Sequence, residues 1–320
     1  MSYRSVICRS LVAACAIAVL AGPAQAETLR VGKSTLTSFS YTLLEVGMHA
    51  GIFKKHGLEI ESSAFGGGPR LLQAMTAGAI DIGLDGGTDM AMIVKGAPIM
   101  TIAPLSGAPV EMVIAVKGDS PLKTVTDLKG KKIAVTGVGT LTGWITRELV
   151  RSLGWTDLDV NYVTSSSIAA SRALLQTGEI DAVTTDMTTT IENQRLGRER
   201  MLYNYGDLVK DFHMQIIFAT NSLIATKPQA VSAFMAGWLE TVAFAKANKT
   251  RTLEIIRETL GFHPDVLDAS YERLIDNYST DGKFNPRALA VLARSSVELK
   301  LLDKEPDMST LYTEAFLPKK

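Results

Sequence analysis

The chain has 320 residues, with 33 basic and 33 acidic side chains, 46% hydrophobic residues and two cysteines. Balanced charge without a basic run argues against a nucleic-acid partner. The length is enough for one large domain or two modest ones with an ample core.

The first residues read as an export signal. Arg4 and Arg9 give a positive start, Leu11 to Leu20 is apolar, and Ala24-Gln25-Ala26 is a small-x-small cleavage site. The apolar run is short for a membrane span. The expectation is a signal peptide over residues 1–26, cleaved after Ala26, and a periplasmic protein from Glu27 onward. Lipidation at Cys15, from the lipobox-like Val12-Ala13-Ala14-Cys15, is an alternative, as is an uncleaved anchor. Cys8 and Cys15 both lie in this segment, so residues 27–320 carry no thiol, disulfide or cysteine nucleophile. An exported chain of that kind relies on its core for stability. No second long apolar stretch follows, and a soluble chain is expected.

In chain order, Leu29–Gly32 reads as a strand and Lys33–Ser40 as a hydroxyl-rich loop. Tyr41–Ala50 has helical spacing, Ile52–Gly57 adds a short turn, and Leu58–Phe65 alternates as a half-exposed strand does. Gly66-Gly67-Gly68-Pro69-Arg70 opens a helix, with Pro69 well placed in its first turn. Leu72 to Asp89 then runs as helix end, a glycine stop at Gly78, a buried strand Ile80–Leu84 and a polar turn. About a hundred residues later Leu174 to Asp186 repeats this unit, with Gly178 matching Gly78 and Ile180-Asp181 matching Ile80-Asp81. Two lobes built alike are expected to face one crevice. The alternation of strand and helix predicts parallel sheets with crossover helices. Val110–Val116 leaves the first lobe and Gln215–Ala225 returns to it. Four helical stretches from Gln229 to Leu302 are expected to pack on the outside of the first lobe.

Several segments, in order, carry a resemblance: Ala50-Gly-Ile-Phe-Lys-Lys-His-Gly-Leu-Glu-Ile-Glu61, Ala77-Gly-Ala-Ile-Asp-Ile-Gly83, Gly96-Ala-Pro-Ile99, Asp127-Leu-Lys-Gly-Lys-Lys-Ile-Ala-Val135 with Gly139-Thr140, Gly178-Glu-Ile-Asp-Ala182 and Asp307-Met-Ser-Thr-Leu-Tyr312. With these the chain resembles the periplasmic solute-binding proteins of ABC importers, in the nitrate/sulfonate/taurine branch that also includes binders of thiamine-pyrimidine precursors. The resemblance implies a two-lobe α/β fold, each lobe a mixed, mostly parallel sheet flanked by helices, closing on a small molecule and docking on a membrane permease. Lobe one would comprise residues 27–112 and 220–320, and lobe two residues 113–219. A monomer without cofactor, metal or catalytic activity is expected. A pyrimidine-synthase-like enzyme of the same fold is one alternative; the missing cysteine and the export signal count against it. An exported ligand-presenting sensor is another.

Ligands of open α/β sheets sit beyond the carboxyl ends of the strands, and five loops qualify. Thr37, Ser38, Phe39 and Tyr41 form the first, with an aromatic ring to stack on a flat or apolar part. Gly67, Gly68 and Arg70 form the second, where a helix start favours an anion. In the third, Asp85, Gly86 and Thr88, the acid can bind a cationic or hydroxyl group or cap the helix that follows. The fourth, Gly139, Thr140, Leu141 and Thr142, offers free N–H groups and hydroxyls to a sulfonate, carboxylate or phosphate. The fifth pairs Ser165 with Asp186, which can meet an amine or a nearby basic side chain. Trp144 is a candidate for the crevice and Trp238 for the core. Asp81, Asp85 and Asp89 straddle a strand and a turn and need not share a face, and no acidic cluster points to a polyamine. Gly137-x-Gly139 matches a dinucleotide fingerprint poorly. The four histidines have no metal-ligand spacing.

Overall fold

The computed structural model describes residues 26–36 and 38–319; the expected export signal, Cys8, Cys15 and Thr37 lie outside the described residues. Ten strands are described: β1 (Glu27–Lys33), β2 (Leu58–Ala64), β3 (Ile82–Gly86), β4 (Ile99–Pro104), β5 (Met112–Lys117), β6 (Lys132–Val135), β7 (Asn161–Thr164), β8 (Ala182–Asp186), β9 (Glu199–Asn204) and β10 (Gln215–Thr220). They form two five-stranded sheets, ordered β2-β1-β3-β10-β4 and β7-β6-β8-β5-β9. These are the same pattern used twice, with the strand that arrives from the other half in the fourth place.

That arriving strand sets the character of each sheet. β1 runs parallel to β2 and β3, but β10 runs antiparallel to β3 and β4. Likewise β6 is parallel to β7 and β8, and β5 antiparallel to β8 and β9. The sheets are mixed and mostly parallel as expected: in each, four strands run one way and the arriving strand runs against them. The reason is geometric. β3 and β8 run toward the crossing between the lobes, whereas β5 and β10 start there and run away from it: Met112 pairs with Asp186 and Gln215 with Gly86, each the last residue of its strand. The division expected at 219/220 falls inside β10, all of which pairs in the first sheet.

The repeated sequence unit has a repeated physical role. Helices Gly68–Thr76 and Ile168–Thr177 are followed by Gly78 (φ 71°) and Gly178 (φ 81°), left-handed positions that favour glycine. Ile80 and Ile180 are both buried. The carboxylates of Asp81 and Asp181 then accept the backbone N–H of Arg30 at 2.9 Å and of Lys132 at 2.8 Å, each in the neighbouring first-laid strand. The Ile-Asp pair therefore seats its strand in the core and fixes the register of the next.

On the outside of the first sheet, helix Pro228–Ala247 packs against Leu43–His49, and Phe234 stacks on Phe53 with ring centroids 5.3 Å apart. Trp238 is buried there. The last two helices depart from the expected position. Pro264–Leu274 touches Met187–Arg195 of lobe two. Pro286–Glu298 reaches the lobe-two helix Leu141–Ser152, where the indole N–H of Trp144 donates to Glu298 at 2.6 Å, Arg151 binds Glu298 at 2.9 Å and Arg294 binds Glu148 at 3.0 Å. Trp144 is fully buried, stacked on Phe212 at 5.3 Å. The charged face of the last helix matches a complementary charged face on lobe two, which draws it across.

Glu111 precedes β5 at the crossing and is 4% exposed. Its carboxylate accepts four different donors: Ser38 Oγ at 2.9 Å, Phe39 N–H at 2.8 Å, Ser40 Oγ at 2.7 Å and Gln215 Nε2 at 2.7 Å. Gln215 also accepts from Ser106 Oγ, so one carboxylate ties the outgoing segment, the returning strand and the loop after β1 together. Burial pushes the Glu111 carboxyl above its ordinary range, and the surrounding donors oppose that push. Hydrogen bonds to a charged acceptor contribute about 1.5–3 kcal/mol each, and a buried donor left alone costs a similar amount. Glu111→Ala is expected to lower unfolding free energy by at least about 3 kcal/mol in urea titrations. Glu111→Gln, which keeps one acceptor oxygen, is expected to cost less than half of that, and equal losses would show that volume, not acceptance, matters here.

Candidate functional site

A cavity of about 1050 Å³ lies between the lobes. Tyr41, Gly68, Asp85, Gly86, Thr88 and Asp89 line it from lobe one, and Thr136, Gly139, Thr140, Leu141 and Thr142 from lobe two. Lys95 of lobe one, Met214 and Gln215 of the crossing, and Leu299 and Leu301 beyond the last helix are also in the wall.

The lobe-two wall is a helix start. β6 runs out at Val135, and the Gly137–Gly139 loop turns the chain into helix Leu141–Ser152. Thr140 holds the N-cap position in extended conformation, but its side chain does not cap. Its hydroxyl donates to Gly137 O at 2.7 Å, and the hydroxyls of Thr136, Thr140 and Thr142 form a chain of contacts between 2.8 and 3.1 Å. Thr142 Oγ1 also accepts the Thr136 N–H at 2.9 Å. The first-turn N–H groups of the helix, at Leu141, Thr142 and Gly143, are therefore left without a side-chain cap. Such a terminus favours negative charge by about 0.3–1 kcal/mol at a surface and more when partly buried.

Gly143 keeps this wall in place. A Cβ added there would lie 2.3 Å from Gly137 O and 2.7 Å from Val138 O, so the loop can press on the helix only because no side chain intervenes. Arg147 holds the loop from outside, donating to Val138 O at 2.7 Å. Gly143→Ala is expected to displace the loop and cost about 1–3 kcal/mol in urea unfolding, as overpacking does; a change below half a kilocalorie, on the order of an ordinary surface substitution, would show that the loop yields freely.

The lobe-one wall has the opposite character. Asp85 is 3% exposed; its Oδ1 accepts the Gly86 N–H at 2.8 Å, and Ser34 and Asp89 also hydrogen-bond its side chain. Asp89 stands beside it, partly exposed. A Cβ on Gly68 would lie 2.7 and 3.0 Å from the two oxygens of Asp85 and 2.9 Å from Asp89 Oδ2. Two carboxyls thus converge on the start of helix Gly68–Thr76, which has no side-chain cap. Burial pushes the Asp85 carboxyl up to about 6. Burial and the charge of Asp85 push Asp89 well above the carboxylate range. Among the described residues neither makes an ion pair, and neither shift has a cation among its causes.

This pair has a consequence for stability. With its folded value above its unfolded one, the Asp85 carboxyl binds more protons folded than unfolded between about pH 4 and 6. Its stabilising contribution is fully present below pH 4 and is lost as pH rises through about 6. Asp85→Asn, which keeps an acceptor for Gly86, is therefore expected to raise stability at neutral pH by on the order of 1–3 kcal/mol. The gain should shrink toward zero near pH 4, which thermal unfolding across that range measures.

Of the residues expected at a ligand, the cavity brings together Tyr41, Gly68, Asp85, Gly86, Thr88, Gly139, Thr140, Leu141 and Thr142. Thr37 lies outside the described residues, and the other expected residues do not line the cavity. Ser38 faces Glu111, and Phe39 is 1% exposed in the lobe-one core. Gly67 donates its N–H to Ser34 O at 2.8 Å, in a left-handed conformation with φ 129°. Arg70 is exposed and folds over Gly66. Ser165 contacts Ser171, and Asp186 caps helix Met187–Arg195 while pairing with Arg172 at 3.1 Å. Thr136, Asp89, Gln215, Leu299 and Leu301 were not anticipated. Asp89 follows Asp85 by four residues, across the turn from the end of β3 into the helical turn Gly87–Met90. Nothing local marks Leu299 or Leu301.

A family model described as NMT1/THI5 like matches residues 38–251. An Escherichia coli (strain K12) protein, named for binding aliphatic sulfonates, is 30% identical over 218 residues, 65% of this chain and 64% of that protein's length. Among solved structures, the periplasmic aliphatic sulphonate binding protein SsuA from Escherichia coli superposes with TM-score 0.74 at 22% identity, covering 90% of this chain and 92% of that one. The alkanesulfonate-binding protein SsuA from Xanthomonas axonopodis pv. citri, bound to MOPS, gives 0.72 at 21% identity over 92% of this chain and 99% of that one. The desulfurization enzyme DszB gives 0.67 at 15% identity, covering 91% and 97%.

Proposed function

The chain belongs to the NMT1/THI5-like family, and on that premise we propose that it is the periplasmic substrate-binding component of an ABC importer. It captures a small organic anion between its lobes and delivers it to a membrane permease. The observation that carries this reading is the uncapped start of helix Leu141–Ser152 opening on the cavity between the lobes. Sulfonate-binding relatives support the ligand class.

The anion, a sulfonate or carboxylate, is held by the N–H groups of Leu141, Thr142 and Gly143, with the hydroxyls of Thr136, Thr140 and Thr142 around it. Tyr41, Gly68, Asp85, Gly86 and Thr88 face it from lobe one. A ligand that touches both lobes only when they are closed shifts the population toward closure, and the permease reads that state. Micromolar affinity corresponds to about 8 kcal/mol, within reach of a few charge-assisted bonds in a dry crevice. The ligand leaves unchanged, since the reading assigns no chemistry to the site.

A thermal-shift screen of sulfonates, carboxylates, nitrate and pyrimidines tests the ligand class. At a hundredfold excess over Kd a true ligand stabilises by about 2.7 kcal/mol, and an anionic organic compound is expected to be the one that does so. Thr140→Ala is expected to weaken that compound about three- to tenfold, because it removes the Thr140–Gly137 bond that holds the loop at the helix start. Arg70→Ala is expected to leave affinity unchanged. A loss in Arg70→Ala alone would move the anion to the Gly66–Arg70 loop, and recovery of a chemically altered ligand would replace transport with catalysis.

A further inference from the structure

We infer that the turn Leu299-Lys300-Leu301, just beyond the last helix, is the specificity-determining wall of the cavity: it sets how long an apolar body the cleft accepts behind the anion. This rests on the anion reading above and adds to it the residues that choose among anions by size.

The origin of the wall separates this turn from the rest of the lining. Leu72, Met92 and Leu141 also line the cavity, but each sits on a helix of its own lobe. Their positions follow from how that lobe packs. Leu299 and Leu301 belong to no sheet and come from the turn where helix Pro286–Glu298 ends. Side chains on such a segment can change without disturbing the sheets they border. Leu299 is 4% exposed and anchors the turn in the core, whereas Leu301 is half-buried at the edge of it.

The turn is held more tightly than a surface connection requires. The N–H of Leu299 donates to Ser295 O at 2.8 Å and that of Lys300 to Val297 O at 2.8 Å. The N–H groups of Leu301 and Leu302 both donate to Ser296 O, at 2.9 and 3.1 Å. Lys300 takes φ 57°, and among the described residues every other positive-φ position is a glycine. A Cβ disfavours that conformation, and such residues persist where their surroundings over-determine them, typically at binding sites. Here the left-handed step bends the chain between two leucines that both reach the same cavity.

The turn is also fastened to the side that holds the anion. Glu298, one residue before Leu299, accepts the indole N–H of Trp144 at 2.6 Å and binds Arg151 at 2.9 Å. Both partners lie on helix Leu141–Ser152, whose uncapped start is the anion site. A Cβ on Gly139 would lie 3.5 Å from Leu299 O, so the turn rests on the loop that leads into that start. A body attached to an anion at the Leu141, Thr142 and Gly143 N–H groups leaves the helix start alongside this turn. The spacing between anion and wall is thereby fixed, and with it the number of carbons that fit.

The test compares wild type with Leu301→Ala and Leu301→Phe by calorimetry, using unbranched alkanesulfonates and alkanecarboxylates from methyl to decyl. In wild type, affinity is expected to rise about fourfold per added methylene, as apolar burial does, up to a limiting length and then to fall. Leu301→Ala is expected to move that limit about two carbons longer, and Leu301→Phe to move it shorter by a similar amount. The position of the limit is read within one preparation, so a loss of folded protein does not mimic a shift; if the alanine variant does not fold, the phenylalanine variant decides. A limit that stays in place in both variants, or that wild type lacks, would overturn the inference and leave the anion reading intact. An equal shift in Met92→Ala would take the selection away from the turn. Failure of every acid to bind wild type would remove the anion reading and this inference with it.

Discussion

One buried carboxylate, that of Glu111, holds the architecture together. It sits where the chain crosses between lobes, and its donors come from two separated segments: Ser38 to Ser40, and Gln215 on the way back. A charge in such a place is tolerable only if every donor is aimed before it arrives. The arrangement couples the two crossing segments to each other and both to the loop after β1. The crossing thus has a fixed geometry that sets where the two walls of the cleft stand.

The walls themselves are unlike, although the lobes share a topology. In both, the third strand ends at the cleft and a helix starts beside it. In lobe two the Gly137–Gly139 loop delivers bare N–H groups, because Thr140 turns its hydroxyl to Gly137 and declines to cap. In lobe one a different helix start, that of Gly68–Thr76 after β2, is covered by two acids. The two walls have thus been given unlike chemistry by a handful of side chains at different places in the shared topology. Burying the two acids side by side costs local stability, since burial raises both carboxyls above their ordinary range.

Much of this was legible from residue order, and the reasons are local. Gly78 and Gly178 stop helices because only glycine takes a left-handed turn cheaply, and the Ile-Asp that follows each one has a single sensible role, apolar inward and acid to a neighbouring backbone. The Gly137–Thr142 segment announced a helix start with free donors for the same reason. What stayed hidden depends on tertiary position. Phe39 and Tyr41 are two residues apart in one loop, yet one fills the core and the other borders the cavity. Asp85 and Asp89 meet because Gly68, on another element, has no side chain to keep them apart. Ser38 and Gln215 answer to Glu111 across long stretches of chain. Leu299 and Leu301 reach the cavity only because the last helix crosses from one lobe to the other, and its sequence reads like any other amphipathic segment.

That crossing helix fastens the two halves together. Trp144 belongs to one half, and the acceptor of its indole N–H, Glu298, belongs to the other. Without that acceptor the indole N–H would be a buried donor left alone, so this bond also fixes where the last helix lies on lobe two.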